Sequence, residues 1–477
     1  MSMIDKDKLE NLKNVLKKYG QDHLLCFWDH LDPAQRERLF NQLSRLDFAQ
    51  IDRWLTDFVL KDSPFQLPAN LAPAPSYTPR PQNDAQQAKY DSARQVGEKL
   101  ISQGKVAAFV VAGGQGTRLG FDGPKGNFPI SPVKNKTLFR IFAETIAAAS
   151  RKFNAVCPWY VMTSPLNYSQ TLDIFAANDY YGLPKQNVFI FQQGTLPNFS
   201  LDGKILLADL DVITASPDGH GGSLRALHDS GALADMKKRG VEFITYWQVD
   251  NPLVNIFDPL FIGLHALDGA EMSSKALVKT GPFEKVGNFC LADGKVAVIE
   301  YSDLTNDLAE KKNPDGSLVF NLGSIGIHVI SVSFVERLNK KGFALPLHKA
   351  IKKIPHVDDN GDKVNPTKPN GIKLESFVFD ALPLASKSII LQTIRSEEFA
   401  PAKNAVGVDS AITSKQMMIN RAAAWLEFAG VKIPRKPDGS PDCTIEIAPS
   451  FALTGNDVNA KRDKIRSINS GDRIYFF

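Results

Sequence analysis

One stretch of this chain constrains its fold more than any other. Val110-Val-Ala-Gly-Gly-Gln-Gly-Thr-Arg-Leu-Gly120 runs at once into Phe-Asp-Gly-Pro-Lys125-Gly. The apolar run Val106 to Val111 has the length and content of a buried strand, and it empties into glycines. Without side chains, those glycines let backbone N–H groups approach an anion closely, so the loop reads as a phosphate cradle. Two familiar cradles are excluded. Gly114, Gly116 and Gly120 are spaced G-x-G-x-x-x-G rather than G-x-G-x-x-G, and no acidic residue closes a strand about 20 positions on, so the dinucleotide fingerprint fails. Lys125 stands between Pro124 and Gly126, so it is not the lysine of a P-loop. What remains is a loop with two cations, Arg118 and Lys125, suited to a triphosphate attacked at its α-phosphorus.

The surrounding pattern supports an α/β fold. Short apolar runs at Trp159–Met162, Val188–Phe191 and Phe243–Val249 alternate with helical periodicity, as in Leu138, Ile141, Phe142, Ile146 and Ala149. Such alternation predicts a doubly wound, mostly parallel sheet. Two strand-like runs around Asp293-Gly294 predict an antiparallel hairpin. Residues 6–60 read as amphipathic helices, including one through Leu24, Leu25, Trp28 and Leu31. The six prolines between Pro64 and Pro81 predict an extended strap. After a helix at Ser414–Phe428 the chain ends in short polar strands. The expected organisation is a helical N-terminal region with its strap over 1–95, a catalytic α/β domain over 96–395, and a small C-terminal domain over 396–477. A chain of 477 residues has room for about three domains.

Charge narrows the partners. With 56 basic and 52 acidic residues the net charge is +4, and no run of five like charges occurs, which argues against nucleic acid. No apolar run is long enough to span a bilayer, and the N-terminus lacks a signal core, so a membrane partner is not expected. Cys26, Cys157, Cys290 and Cys443 lie far apart without zinc spacing and read as reduced thiols of a cytoplasmic protein.

Seven further motifs follow the loop in order. They are Phe191-Gln-Gln-Gly194, Ser216-Pro-Asp-Gly-His-Gly-Gly222, Val249-Asp-Asn251, Val298-Ile-Glu-Tyr-Ser302, Pro369-Asn-Gly-Ile-Lys373, Phe377-Val-Phe-Asp380 and Pro401-Ala-Lys-Asn404. With the loop, they make the chain resemble the eukaryotic-type UDP-sugar pyrophosphorylases, most closely the UDP-N-acetylhexosamine branch, from about residue 20 to 405. The resemblance implies a Rossmann-like nucleotidyltransferase domain with a mixed, mostly parallel sheet. It also implies Mg²⁺-dependent conversion of UTP and a sugar 1-phosphate into a UDP-sugar and pyrophosphate. Asp250 ends a strand at the edge where ligands bind in such sheets, and Mg²⁺ needs only one or two carboxylates beside phosphate oxygens and water.

Residue by residue, the resemblance gives Gln193 to uracil, and Gly113, Gly114 and Gly219 to backbone contacts with the nucleotide. Asp250 goes to the metal, and Gly287 and Glu300 to the sugar wall. Phe377 and Phe379, alternating on one face of a strand, lie near the N-acyl group. Lys373 and Lys403 contact phosphates. Arg118, Lys125 and Lys403 are the expected catalytic cations. Two positions depart from the hexosamine pattern: His220 and Ser324 each stand where that branch has Asn, and His220 resembles the UDP-glucose and UDP-sugar branches. Both lie on the sugar side, which keeps UDP-glucose or broad UDP-sugar synthesis as an alternative. A non-catalytic nucleotide-sugar sensor is the alternative from another class, and retention of Arg118, Lys125, Asp250 and Lys403 argues against it.

Overall fold

The computed structural model describes residues 4–61 and 67–477, so Pro64, the first proline of the expected strap, lies outside the described residues. The chain groups into two compact units, each assembled from segments distant in sequence.

The first unit takes the described residues up to 61, with Gly194–Gly222 and Leu345–Val378. Its N-terminal part is helical, with α-helices at Lys6–Lys18, Pro33–Ser44 and Phe48–Trp54. Each starts on an aspartate, Asp5, Asp32 or Asp47, whose carboxylate accepts an N–H of the first turn. The periodicity through Leu24 to Leu31 resolves differently: two short 3₁₀ turns, Asp22–Leu25 and Trp28–His30, replace a continuous helix. Leu16, Leu39, Leu43 and Phe48 share one core with Phe199, Ile205 and Ile372. Buried Gln21 stitches the segments together, donating to Gly203 O at 3.0 Å and accepting from Ile205 N at 2.9 Å. A three-stranded antiparallel sheet, His348–Lys352, Gly371–Glu375 and Phe199–Ser200, completes the unit.

The second unit takes Leu67–Gln193, Ser223–Ala344 and Phe379–Phe477. Its ten strands are β1 (Leu71–Pro73), β2 (Val106–Val111), β3 (Trp159–Thr163), β4 (Val188–Gln192) and β5 (Phe243–Gln248), then β6 (Met272–Val278), β7 (Asn288–Ala292), β8 (Lys295–Ile299), β9 (Leu322–Ser331) and β10 (Ser388–Gln392). They form one sheet in the order β1-β7-β9-β5-β2-β3-β4, with β6 joining β9 to β10 and β8 on β7. Strands β5, β2, β3 and β4 run parallel, as the alternation of strands and helices predicts. Strands β1, β7, β8 and β9 make the sheet mixed. Strand β2 is almost wholly apolar and buried, as a strand covered on both faces must be.

The expected hairpin is present as β7 and β8. Asp293 and Gly294 take φ +49° and +81°, the pair of positive angles a two-residue turn needs. Within its described part, the proline-rich segment contains extended chain: β1 pairs with β7, and Tyr77 N donates to Ile390 O at 2.8 Å. Helix α1 (Asp84–Ser102) packs on α3 (Pro259–Leu267), while α2 (Leu138–Lys152) buries the periodic face named above. Helix α4 (Ala411–Phe428), capped by Ser410 and Thr413, leads to a short parallel pair, Thr444–Ile447 and Arg473–Phe476.

Candidate active site

Strand β2 delivers Gly113 and Gly114 at its carboxyl end, and neighbouring strands deliver what faces them. Gln193 follows β4, held by its N–H on Thr163 O at 2.8 Å. A Cβ built on Gly113 would lie 2.6 Å from Gln193 Oε1 and 3.2 Å from Ser164 N, so a larger residue there would push the Gln193 amide aside. Lys125 closes the loop: its N–H donates to Gly114 O at 3.0 Å, and its side chain comes back to within 3.9 Å of a Cβ on Gly114. Gly113, Gly114, Lys125 and Gln193, up to 80 residues apart in sequence, therefore share one end of the parallel strands.

Asp250 follows β5 at that same edge and is 7% exposed. Burial lowers the Lys125 pKa below the usual lysine value; Asp250 pulls it back up, and Lys403 and Arg118 add their repulsion. Arg118, Lys125, Lys403 and Asp250 thus form one electrostatic group. Asp409, which the sequence did not single out, joins it. Burial raises its carboxyl pKa, Lys403 opposes the rise and Asp250 adds to it. The main-chain carbonyl of Asp409 also accepts the N–H of Lys403 at 2.7 Å. Arg118 is exposed on its loop, whereas Lys125 and Lys403 are half-buried.

A second group in the same unit surrounds the hairpin. A Cβ on Gly287 would lie 3.5 Å from Glu300 Oε1 and 3.8 Å from Ser324 Cβ, and Ser324 N donates to Gly287 O at 2.7 Å. The structure therefore brings Gly287, Glu300 and Ser324 together at the ends of β7, β8 and β9.

In the first unit, Gly219 takes φ +83°, and a Cβ there would meet Ser376 O at 2.3 Å. Ser376 N donates to Asp218 O and Gly221 N to Ser376 O. These contacts hold His220 against Phe377, the rings stacked at 5.3 Å, with His220 Nδ1 accepting from Val378 N at 3.0 Å. His348 stacks on Phe377 at 4.5 Å and was not anticipated. Lys373 sits on the strand Gly371–Glu375.

The reading of Phe377 and Phe379 as one strand face is corrected. The strand stops at Glu375, and Val378–Leu384 coils into a 3₁₀ segment containing Pro383. Phe377 is half-buried in the first unit, and Phe379, 8% exposed, belongs to the second.

Residues 76–436 match the family described as UTP--glucose-1-phosphate uridylyltransferase. The chain belongs to this uridylyltransferase family. It is therefore a nucleotidyltransferase with the expected α/β fold. Human "UDP-N-acetylhexosamine pyrophosphorylase-like protein 1" is 36% identical, covering 94% of this chain and 93% of its own. "UDP-N-acetylglucosamine pyrophosphorylase" of Saccharomyces cerevisiae is 34% identical, covering 96% and 98%. Among solved structures, the uridine diphosphate N-acetylglucosamine pyrophosphorylase of Trypanosoma brucei superposes with a TM-score of 0.82 at 27% identity, covering 100% of this chain and 99% of that one.

No helix among the described residues is long and apolar enough to cross a membrane. The four cysteines are unpaired, three of them buried.

Proposed function

We propose that this uridylyltransferase forms UDP-N-acetylhexosamine, with N-acetylglucosamine as the sugar, and pyrophosphate from UTP and the sugar 1-phosphate. One observation carries the reading: Arg118, Lys403 and buried Asp250 all act on the charge of Lys125, whose side chain lies against Gly114 next to the Gly113–Gln193 contact. Three cations beside a glycine loop match two phosphorylated substrates whose charges must be brought together. In this reading the Gln193 amide, both donor and acceptor, meets uracil, and the N–H groups of Gly113 and Gly114 meet the nucleotide. The sugar phosphate oxygen attacks the α-phosphorus directly and pyrophosphate leaves in line. Because the nucleophile is already anionic, no general base and no covalent intermediate are required. Lys125 and Arg118 neutralise the triphosphate, and Lys403 relieves repulsion between the two phosphates.

The donor set also fits Mg²⁺. Among the described residues no group of three His, Cys, Asp or Glu gathers to hold a metal by protein alone, but one carboxylate suffices when phosphate oxygens and water complete the shell. Asp250 would be its protein ligand, and the ion would supply charge neutralisation on the triphosphate. Glu300, Ser324 and Gly287 are assigned to the sugar. The unpaired thiols suit a cytosolic setting.

His220 favours a second reading, UDP-glucose or broad UDP-sugar synthesis. Pyrophosphate release from UTP, measured in parallel with GlcNAc-1-phosphate, GalNAc-1-phosphate and glucose-1-phosphate, separates the two. The expected order puts GlcNAc-1-phosphate first. A tenfold or greater preference for glucose-1-phosphate overturns the hexosamine reading, and absence of turnover with all three leaves the sensor.

A further inference from the structure

The two segments that carry Asp250 and Lys403 are far apart in sequence, and the structure ties them together at a few defined atoms. Asn251 is the centre of the tie. It is 3% exposed. Its Nδ2 donates to Glu398 O at 2.7 Å, while its Oδ1 accepts from Ala400 N at 3.1 Å and from Leu253 N at 3.2 Å. One residue earlier, Asp250 O accepts from Ala402 N at 2.9 Å. The main chain over 398–402 is thereby pinned directly to residues 250 and 251, and Lys403 is the next residue.

A second layer anchors the tie from behind. Glu398 accepts from Asn255 N at 3.3 Å and from buried Lys275 Nζ at 2.5 and 2.6 Å; Thr393 Oγ1 also donates to it. Lys275 reaches Asp258 at 2.7 Å as well. Arg421 of α4 donates to Leu253 O at 2.8 Å and Glu397 O at 3.0 Å, bridging the same two segments. Apolar packing joins the same segments, since Phe399 and Ala402 share a buried core with Val249 and Val254. A cavity of about 260 Å³, lined in part by Pro252, Asn255, Glu397, Glu398 and Arg421, lies against the tie. Hydrogen bonds with fixed directions add to that packing a defined register between the segments of Lys403 and Asp250.

That spacing matters because charge interactions at such distances change steeply with position, and a misplacement of about 1 Å can cost on the order of 10²-fold in rate. We propose that Asn251 is a positioning residue that fixes the separation of Lys403 from Asp250 through the main chain of 398–402. The proposal rests on the uridylyl-transfer reading above. Asn251 touches neither substrate; it acts through Lys403.

The test is a double-mutant cycle on the full chain, with pyrophosphate release from saturating UTP and GlcNAc-1-phosphate as readout. Asn251→Ala is expected to lower kcat by about 10- to 100-fold while KM for UTP changes less than about threefold, because Gln193 and Gly113 are untouched. In a Lys403→Ala background the same substitution is expected to cost less than about threefold, since the residue it positions is gone. Asn251→Asp keeps the acceptor for Ala400 N and loses the donor to Glu398 O. It is expected to fall between the parent and Asn251→Ala, and it carries the cycle if the alanine variant does not fold. Unchanged kcat in a folded Asn251 variant, or losses that multiply fully in the double variant, overturns the proposal while leaving uridylyl transfer intact. Absence of turnover in the unaltered chain overturns the transfer reading and the positioning role with it.

Discussion

Lys125 shows what burial does to a catalytic cation. Held by its own N–H on Gly114 O and flanked by Lys403 and Arg118, it is half-buried, and burial is the largest influence lowering its pKa below the ordinary 10.5. The protonated form binds the triphosphate, so lowering the pKa moves the loss of charge to lower pH. In the parent, kcat/KM for UTP is therefore expected to decline with rising pH before an ordinary lysine would titrate. In Lys125→Arg the decline is expected to move beyond the accessible range, as arginine stays charged. Lys125→Ala is expected to lose at least about 100-fold in kcat, because one unit-charge contact at about 4 Å is worth roughly 4 kcal/mol at an effective dielectric near 20. Arg118 is exposed, so screening reduces the corresponding loss. A pH–rate profile of the three forms, with unchanged thermal transitions, checks the assignment. Near-parent turnover in Lys125→Ala would sink it.

At the scale of elements, the sheet is positioned by helices that touch through glycine. A Cβ on Gly263 of α3 would lie 1.7 Å from Ala93 O of α1, and one on Gly97 of α1 would lie 1.9 Å from Pro259 O of α3. The two backbones are in contact at both points, so neither neighbour can yield by moving a side chain. Gly263→Ala must separate the helices, and overpacking of this kind costs about 1–3 kcal/mol or more. The expected result is a lower denaturant midpoint despite the better helix propensity of alanine; an unchanged or raised midpoint would show that the helices slide freely. Neither glycine stands out in the sequence, since a lone glycine in a helix looks like a weak spot until its neighbour is known. The same limit separates what could and could not be read in advance. Strand β2, the hairpin turn at Asp293-Gly294 and the buried face of α2 each follow from a local period or turn chemistry. Phe377 and Phe379 mislead because two aromatics one residue apart suit a strand or a 3₁₀ coil equally. The partnership of Asn251 with Glu398, 147 residues apart, leaves no local trace at all. Arg118, Lys125, Asp250 and Lys403 were nameable from motifs, but their mutual approach is a property of strand order.

For the molecule as a whole, the C-terminal stretch is built into the catalytic unit rather than appended to it. It has an apolar cluster of its own, including Leu426, Ile445, Phe451 and Ile474. Its polar groups nonetheless reach into the segment that precedes α2. The carboxylate of Glu446, 6% exposed, accepts the N–H groups of Val133 and Lys134, both at 2.8 Å. Lys136 Nζ donates to Tyr475 Oη at 2.6 Å, and Arg473 donates to the carbonyls of Pro132 and Val133. Lys152 at the end of α2 pairs with Asp457 at 2.7 Å. Glu446→Leu keeps a side chain of similar length but removes the acceptor of two N–H groups, a loss of about 1–3 kcal/mol, since Val133 is only half-buried and water reaches exposed Lys134. If the C-terminal stretch and the sheet open as one cooperative unit, that loss is shared, and backbone hydrogen exchange should accelerate in β2 and β3 as well as in 444–476. If the stretch opens alone, acceleration should stop at 444–476 and β2 should keep its parent protection. The contacts onto 132–136 and α2 favour the first outcome, because the loop before α2 loses main-chain partners in the same event. Exchange followed by mass spectrometry on the intact chain distinguishes the two, and confinement to 444–476 would refute the shared unit.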